Sequence, residues 1–239
     1  MMLGPPAVWT CPRCDATVWL PRLLSGNTFG AVWYSDLKYD AAMLPEFPRF
    51  SKCPKCGEFF WIDDLKSKTK ENGRFSLADF EMDEEAVESD ATRLNFLDVD
   101  DSFRFLEAKR GEMDGKREWD VRLKIAQLYN DRIRYDDRIR FGRKARAFAK
   151  KEAALWESDA DKARWQKNLE RLFELTRTVN PDATTFRAEI ARELGRFDEA
   201  VAILDEAEKS SPPKEGGEDY VATEIRKKCA KSDPFVFCC

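Results

Sequence analysis

The sequence predicts an α+β chain: a small β-rich module in front and an all-α region behind. Three observations carry this. The first 65 of the 239 residues crowd Trp, Phe, Pro and Gly into short apolar runs between turn signals, the pattern of short strands. From about Asp114 onward, apolar residues recur at three- and four-residue spacing, the pattern of amphipathic helices. The stretch between them is polar and acidic and sustains neither period. The expected organisation is a β-rich domain over 1–65, an acidic, partly ordered linker over 66–113 and a helical domain over 114–239.

In the front module, Val8–Thr10, Thr17–Leu20, Phe29–Tyr34 and Glu58–Ile62 read as strands, because β-branched and aromatic residues cluster there between breakers. Ser25-Gly26-Asn27 signals a turn, and Pro45 with Pro48 marks an extended loop. Phe75, Leu77, Phe80 and Leu94 are scattered through the acidic stretch, enough for one short helix. Behind it, Trp119, Leu123, Ala126 and Ile133 form one helical stripe, with Tyr129 close to it. A second stretch carries Ala145, Phe148, Ala149, Leu155 and Trp156. A third carries Trp165, Leu169, Leu172, Phe173, Thr176 and Val179 and stops at Asn180-Pro181. Two more helices follow, on Phe186, Ile190, Ala191 and Leu194 and on Ala200, Ile203, Leu204 and Ala207, the latter ended by Pro212-Pro213. A last short helix spans Tyr220 to Cys229.

Charge and composition remove several functions. The net charge of −4 argues against a generally nucleic-acid-binding protein, which is usually basic over a whole domain. Asp79 to Asp101 holds ten acids and one base, whereas Arg104 to Lys151 holds sixteen bases and eight acids. Such runs are most simply solvated faces, although they also offer partners two faces of opposite sign. No apolar stretch is long enough for a transmembrane helix, and Met1 to Trp9 lacks the pattern of a secretory signal, so the expected location is the cytoplasm. Histidine is absent altogether. That removes Ser-His-Asp and Cys-His catalysis and every histidine-based metal site.

Four of the seven cysteines lie in two copies of one device, Cys11-Pro12-Arg13-Cys14 and Cys53-Pro54-Lys55-Cys56-Gly57. Two thiolates two residues apart reach one metal when the chain turns tightly and its N–H groups point at the sulfurs. Proline after the first cysteine pre-sets the turn. Gly57 supplies a positive φ at the exit of the second copy, and Asp15 takes that place in the first. Cys11, Cys14, Cys53 and Cys56 therefore read as the closed ligand set of one structural zinc ion. Reversible disulfides and an iron–sulfur centre are the competing readings. Doubling of the motif, flanking strands and the lack of a thioredoxin-like context favour zinc. The 38 residues between the two copies exceed the usual spacing and imply an inserted hairpin or loop.

Leu24-Ser25-Gly26-Asn27-Thr28-Phe29-Gly30-Ala31, Trp33-Tyr34-Ser35-Asp36, Met43-Leu44-Pro45 and the run from Cys53 to Trp61 resemble a family of uncharacterised bacterial zinc-ribbon proteins. The resemblance covers about residues 7–65, implies a zinc ribbon and brings no activity with it. Gly26, Gly30 and the aromatics read as loop geometry and core, with a binding surface around Asn27, Thr28 and Phe29 as the alternative. Farther on, Ala188, Gly195, Phe197, Ala200, Leu204, Ala207 and Pro212 match the spacing of a tetratricopeptide (TPR) repeat near 183–212. One repeat is fewer than a solenoid needs, and a plain helical bundle with a TPR-like hairpin is the other reading.

The expected function is that of a non-catalytic zinc-binding protein that contacts a protein partner through its ribbon and TPR-like helices. The alternative is a nucleic-acid-associated ribbon using Arg13, Lys52, Lys55 and the basic 132–146 stretch. Neither a membrane nor a small-molecule substrate is expected as a partner. Asp63-Asp64 and the acidic linker are the visible candidates for an acid–base pair, and Asp63 and Asp64 point to opposite faces if they sit on a strand. The apolar tail Pro234 to Cys239 is suited to docking on the domain or on a partner and does not fit a prenylation box.

Overall fold

Two nine-residue strands, β1 (Met2–Thr10) and β2 (Thr17–Ser25), pair antiparallel from Thr10↔Thr17 back to Met2↔Ser25. Pro5 and Pro6 interrupt the register between the pairs Gly4↔Arg22 and Ala7↔Leu20. Proline is tolerated there because β1 is the edge of its sheet. The computed structural model describes residues 1–66, 91–137, 155–210 and 219–239. They fall into two units, Met1–Ala31 with Asp40–Lys109, and Val32–Tyr39 with Arg110–Cys239. This division differs from boundaries at 65 and 113: residues 91–109 join the first unit and an eight-residue segment of the front module joins the second.

In the first unit, β7 (Thr92–Arg93) adds to β2 in parallel, and the Leu94 N–H donates to the Trp19 carbonyl at 2.9 Å. Leu94 and Leu97 are buried, so this part of the supposed linker is core. Asp98 caps α1 (Val99–Ala108) by accepting from the Asp101 N–H at 2.7 Å. Acids at a helix start face its positive dipole end, which explains why an acidic run opens a helix here. The second hairpin joins β5 (Phe50–Lys52) to β6 (Phe59–Trp61), followed by a 3-10 turn at Ile62–Asp64. Phe105 of α1 is fully buried, with ring centroids 4.8 Å from Phe50 and 5.3 Å from Trp61. The expected strand at Phe29–Tyr34 starts only at Val32, because Ala31 N–H closes a turn onto the Thr28 carbonyl and Gly30 takes a φ of 70°. Asp63 and Asp64 lie in the 3-10 turn, exposed, and not on a strand.

The second unit is helical: α2 (Gly115–Asp137), α3 (Asp159–Val179), α4 (Thr184–Glu193), α5 (Phe197–Ser210) and α6 (Tyr220–Cys229). Ser158 caps α3, which ends at Asn180 before Pro181. The buried face of α2 is Val121, Ile125, Ala126, Tyr129 and Ile133, while Trp119 and Leu123 are half-buried at its margin. Ala188, Ala191, Ala200 and Ala222 pack with Ile203, Leu204 and Ile225 where α4, α5 and α6 meet. Small side chains there let the helix axes approach closely. Gly195 turns α4 into α5 at a φ of 75°; a Cβ would meet nothing, so the sign of φ alone calls for glycine. The apolar residues Ala145 to Ala149, Phe75, Leu77 and Phe80, and Pro212, lie outside the described residues.

The segment Val32–Tyr39 folds as a hairpin of this unit, from β3 (Val32–Trp33) to the start of β4 (Tyr39–Asp40). Its Asp36 is buried, pairs with Arg134 and accepts from Asn130 at 3.0 Å. Lys38 reaches Asp131 at 2.5 Å. The apolar tail docks on its own unit. Ser35 N–H donates to the Phe237 carbonyl at 3.0 Å, Cys239 N–H to the Trp33 carbonyl at 2.8 Å, and Tyr34 bridges Cys238 antiparallel. Phe235 and Val236 are buried. No helix among the described residues is long and apolar enough to cross a membrane.

Candidate metal centre

Each C-P-x-C unit occupies the turn of a hairpin, the first between β1 and β2 and the second between β5 and β6. The two turns are built alike. Cys11 N–H donates to the Ala16 carbonyl at 2.9 Å and Asp15 N–H to the Cys11 carbonyl at 3.1 Å. Their counterparts are Cys53 N–H to Glu58 at 2.8 Å and Gly57 N–H to Cys53 at 2.8 Å. The exit residues Asp15 and Gly57 have φ of 56° and 73°, the left-handed conformation that the sequence assigned to both.

The N–H groups that face sulfur repeat as well. Arg13 and Cys14 donate to the Cys11 thiol, and Lys55 and Cys56 to that of Cys53. Ala16 donates to Cys14, and Glu58 to Cys56. Aimed donors of this kind stabilise negative charge on sulfur. They are in place because a two-residue spacing in a tight turn leaves these N–H groups without carbonyl partners.

The four Sγ atoms lie within 4.8 Å of one another, close enough to hold one metal ion. Cys11 to Cys56 and Cys14 to Cys53 are each 3.7 Å apart, and none of these cysteines is disulfide-bonded. Zinc–thiolate bonds of about 2.3 Å put the sulfurs of a tetrahedron about 3.8 Å apart, so the donor set and its spacing fit that ion. Cys11 and Cys53 are buried against Val18, Leu20, Phe60, Ile62 and Leu94, while Cys14 and Cys56 are half-exposed. Burial pushes the Cys11 and Cys53 thiols up, whereas the Ala16 N–H brings Cys14 down to about 7. At Cys56 the Glu58 N–H favours the thiolate, but burial and the Cys14 side chain outweigh it and raise the thiol. Four adjacent thiolates repel, so a metal ion that binds here displaces protons.

Basic residues near the centre are partly engaged. Arg13 reaches Glu58 at 3.5 Å, Lys52 pairs with Asp101, and Lys55 is exposed. In the 132–146 stretch, Arg132 reaches Asp161 at 2.7 Å and Arg134 is buried against Asp36; Arg138 onward lies outside the described residues. Phe29 is 90% exposed, so the loop of Asn27, Thr28 and Phe29 presents its aromatic ring to solvent and not to the core. Gly26 fixes that loop: a Cβ there would stand 2.4 Å from the Met43 carbonyl oxygen.

Sequence reading missed a second polar cluster, in the helical unit. Glu189 and Arg192 are fully buried and bidentate, at 2.5 and 2.7 Å. Glu193 beside them meets the Asn130 amide at 3.4 Å, and burial, with Glu189 nearby, pushes its carboxyl up to about 8. Burial brings Arg134 down to about 10. Charged residues a turn apart on a helix look like a solvated face, and only the tertiary fold reveals that they are enclosed.

No protein-family model matches the chain, and neither the curated proteins nor the solved structures give a match. The ribbon and TPR resemblances rest on the sequence motifs alone.

Proposed function

We propose that this is a non-catalytic zinc-binding interaction protein of the cytoplasm, with a zinc-ribbon module and a TPR-like helical module. The observation that carries the zinc reading is the matched pair of knuckles, whose four sulfurs lie within 4.8 Å of one another and meet across the pair at 3.7 Å from Cys11 to Cys56 and from Cys14 to Cys53, close to a tetrahedral edge length. Bound there, zinc cross-links the two hairpin turns and, with four thiolates around it, keeps no position for a reacting water. Cys11, Cys14, Cys53 and Cys56 hold the ion, the turn N–H groups orient the sulfurs, and the apolar side chains behind Cys11 and Cys53 keep water from the buried pair. The braced, solvent-facing Phe29 loop and the packed helices α4, α5 and α6 support the interaction reading, because exposed aromatics on fixed loops favour partner contacts.

The deciding experiment is metal analysis by mass spectrometry of the purified protein beside Cys53→Ser/Cys56→Ser. One zinc per chain, absent from the variant, is the expected result. Intact protein that carries no metal while its thiols stay reduced would overturn the reading. For the interaction role, cross-linking in cell extract should recover partners with the native chain that Phe29→Ala fails to recover.

A further inference from the structure

The segment Asp233–Cys239 is held by its own unit in the way that sheet-adding domains hold an extended peptide. Along the backbone, Ser35 N–H and the Trp33 carbonyl supply ladder bonds at 3.0 and 2.8 Å, and Phe237 N–H donates to Ser35 Oγ at 3.1 Å. Main-chain bonds of this type give affinity without regard to sequence, and side-chain pockets add the selectivity. Those pockets are present. Phe235 and Val236 are buried, and the Phe237 ring centroid lies 5.4 Å from the Arg192 guanidinium carbon and 5.6 Å from Lys228 Nζ. The same two cations converge on Asp233: Arg192 donates to its carbonyl and Lys228 meets its carboxylate at 2.7 Å. The join to α6 is at Ser232, a non-glycine residue with a φ of 51°. Ser232 and Asp233 close α6 through N–H bonds to the Cys229 and Lys228 carbonyls at 2.9 and 3.0 Å, so the helix end itself sets the turn from which the segment departs.

We propose that Asp233–Cys239 is a cis ligand of a peptide seat formed by α4, α6 and the edge of β3. The seat takes in trans an extended peptide of the same chemistry, an aspartate followed by an aromatic-aliphatic-aromatic run. This rests on the reading of the helical unit as an interaction module and names the kind of partner that it fits. A tethered ligand is present at high effective concentration, so a free peptide competes poorly until the tether is weakened. The seat is therefore closed by default and opens to peptides that outbid the tail or to a partner that holds it away.

The test uses the full chain carrying Phe235→Ala/Phe237→Ala and a fluorescein-labelled peptide that copies residues 232–239, with both cysteines replaced by serine. The expected result is saturable anisotropy, at least tenfold tighter than with the wild-type chain and lost with a scrambled peptide. No binding to a variant that keeps the wild-type circular dichroism and melting temperature would overturn the proposal. Should the variant not fold, hydrogen exchange of the wild-type chain decides. Phe237 and Cys239 amides must exchange at least tenfold faster than that of Ile190, whereas equal protection would make the tail a permanent part of the core. Either failure leaves the interaction reading standing, since metal content and cross-linked partners are measured separately.

Discussion

Around its four cysteines the first unit encloses Val18, Leu20, Phe60, Ile62 and Leu94, while the aromatic group on Phe105 lies behind the second hairpin. The helical unit instead buries long aliphatic stripes on α2 and α3 and small-residue contacts among α4, α5 and α6. It also encloses charge, in the pairs of Asp36 with Arg134 and of Glu189 with Arg192. A β module of short strands has little apolar surface to remove from water, so a cross-link at the two turns fixes what packing alone leaves loose. In the helical unit, packing supplies the stability. Its buried ion pairs add little net free energy, although removing one partner of such a pair is costly. The two units should therefore fail under different perturbations.

Metal removal is the sharpest way to expose that difference. Chelation, or Cys53→Ser/Cys56→Ser, should forfeit most of a metal-binding free energy that is about 10 kcal/mol or more in zinc-ligated peptides. Tryptophan fluorescence and hydrogen exchange should show the first unit opening while helices α3 to α5 keep their far-ultraviolet signal. Simultaneous loss of both signals would remove the distinction. In the helical unit, Asp36→Ala removes the buried carboxylate from Arg134, which keeps its ion pair with Asp131 at 2.7 Å, and should cost up to about 3 kcal/mol in urea unfolding, with zinc content unchanged. Leu172→Ala, in the fully buried stripe of α3, should cost about 3 kcal/mol by the same measurement, again with zinc retained.

The buried acid adds a pH signature to the helical unit. Burial pushes the Glu193 carboxyl up to about 8 from its ordinary 4.5, so it is protonated in the native state across most of that interval while the unfolded chain is ionised. Unfolding then releases a proton, and wild-type stability falls as pH rises from about 4.5 to about 8, by at most about 1.4 kcal/mol per pH unit from this group. Glu193→Gln should abolish that component, so its advantage over wild type grows across the window and levels off above it. Denaturant titrations at several pH values check this, and parallel wild-type and variant curves would count against the assignment. The smallest effect is expected at the first knuckle. Asp15→Gly should stabilise the metal-bound first unit by about 0.5–1 kcal/mol, because glycine holds a φ of 56° without the penalty of a Cβ. A differential melting comparison of that unit reads the shift.

What could be read in advance follows how local each cause is. The knuckles were legible to the sign of φ at Asp15 and Gly57, since turn chemistry within five residues dictates them. The span of α6 and the stop of α3 at Asn180 were equally local. The face of α2 was read a little off centre: Trp119 and Leu123 are the more conspicuous residues, yet Val121 and Ile125 are the buried ones. The acidic stretch concealed β7 and α1, because Asp98, Asp100 and Asp101 suggest a linker until their place at a helix start is known. β5 is three residues long and owes its strand character to pairing with β6. The enclosed charges of Asp36, Arg134, Glu189 and Glu193 were invisible for the same reason, since their burial comes from segments far away in the chain.

One pairing joins residues 202 positions apart, Ser35 with Phe237. During synthesis the hairpin at Val32–Tyr39 emerges long before the residues that complete its ladder. Its edge therefore stays uncapped until residues 237–239 have left the ribosome. Long-range closures of this kind are slow, and an open edge in the interval is a place where a nascent chain meets chaperones or another nascent chain. Loss of residues 237–239 is accordingly expected to lower the yield of folded protein well before it alters the helices themselves.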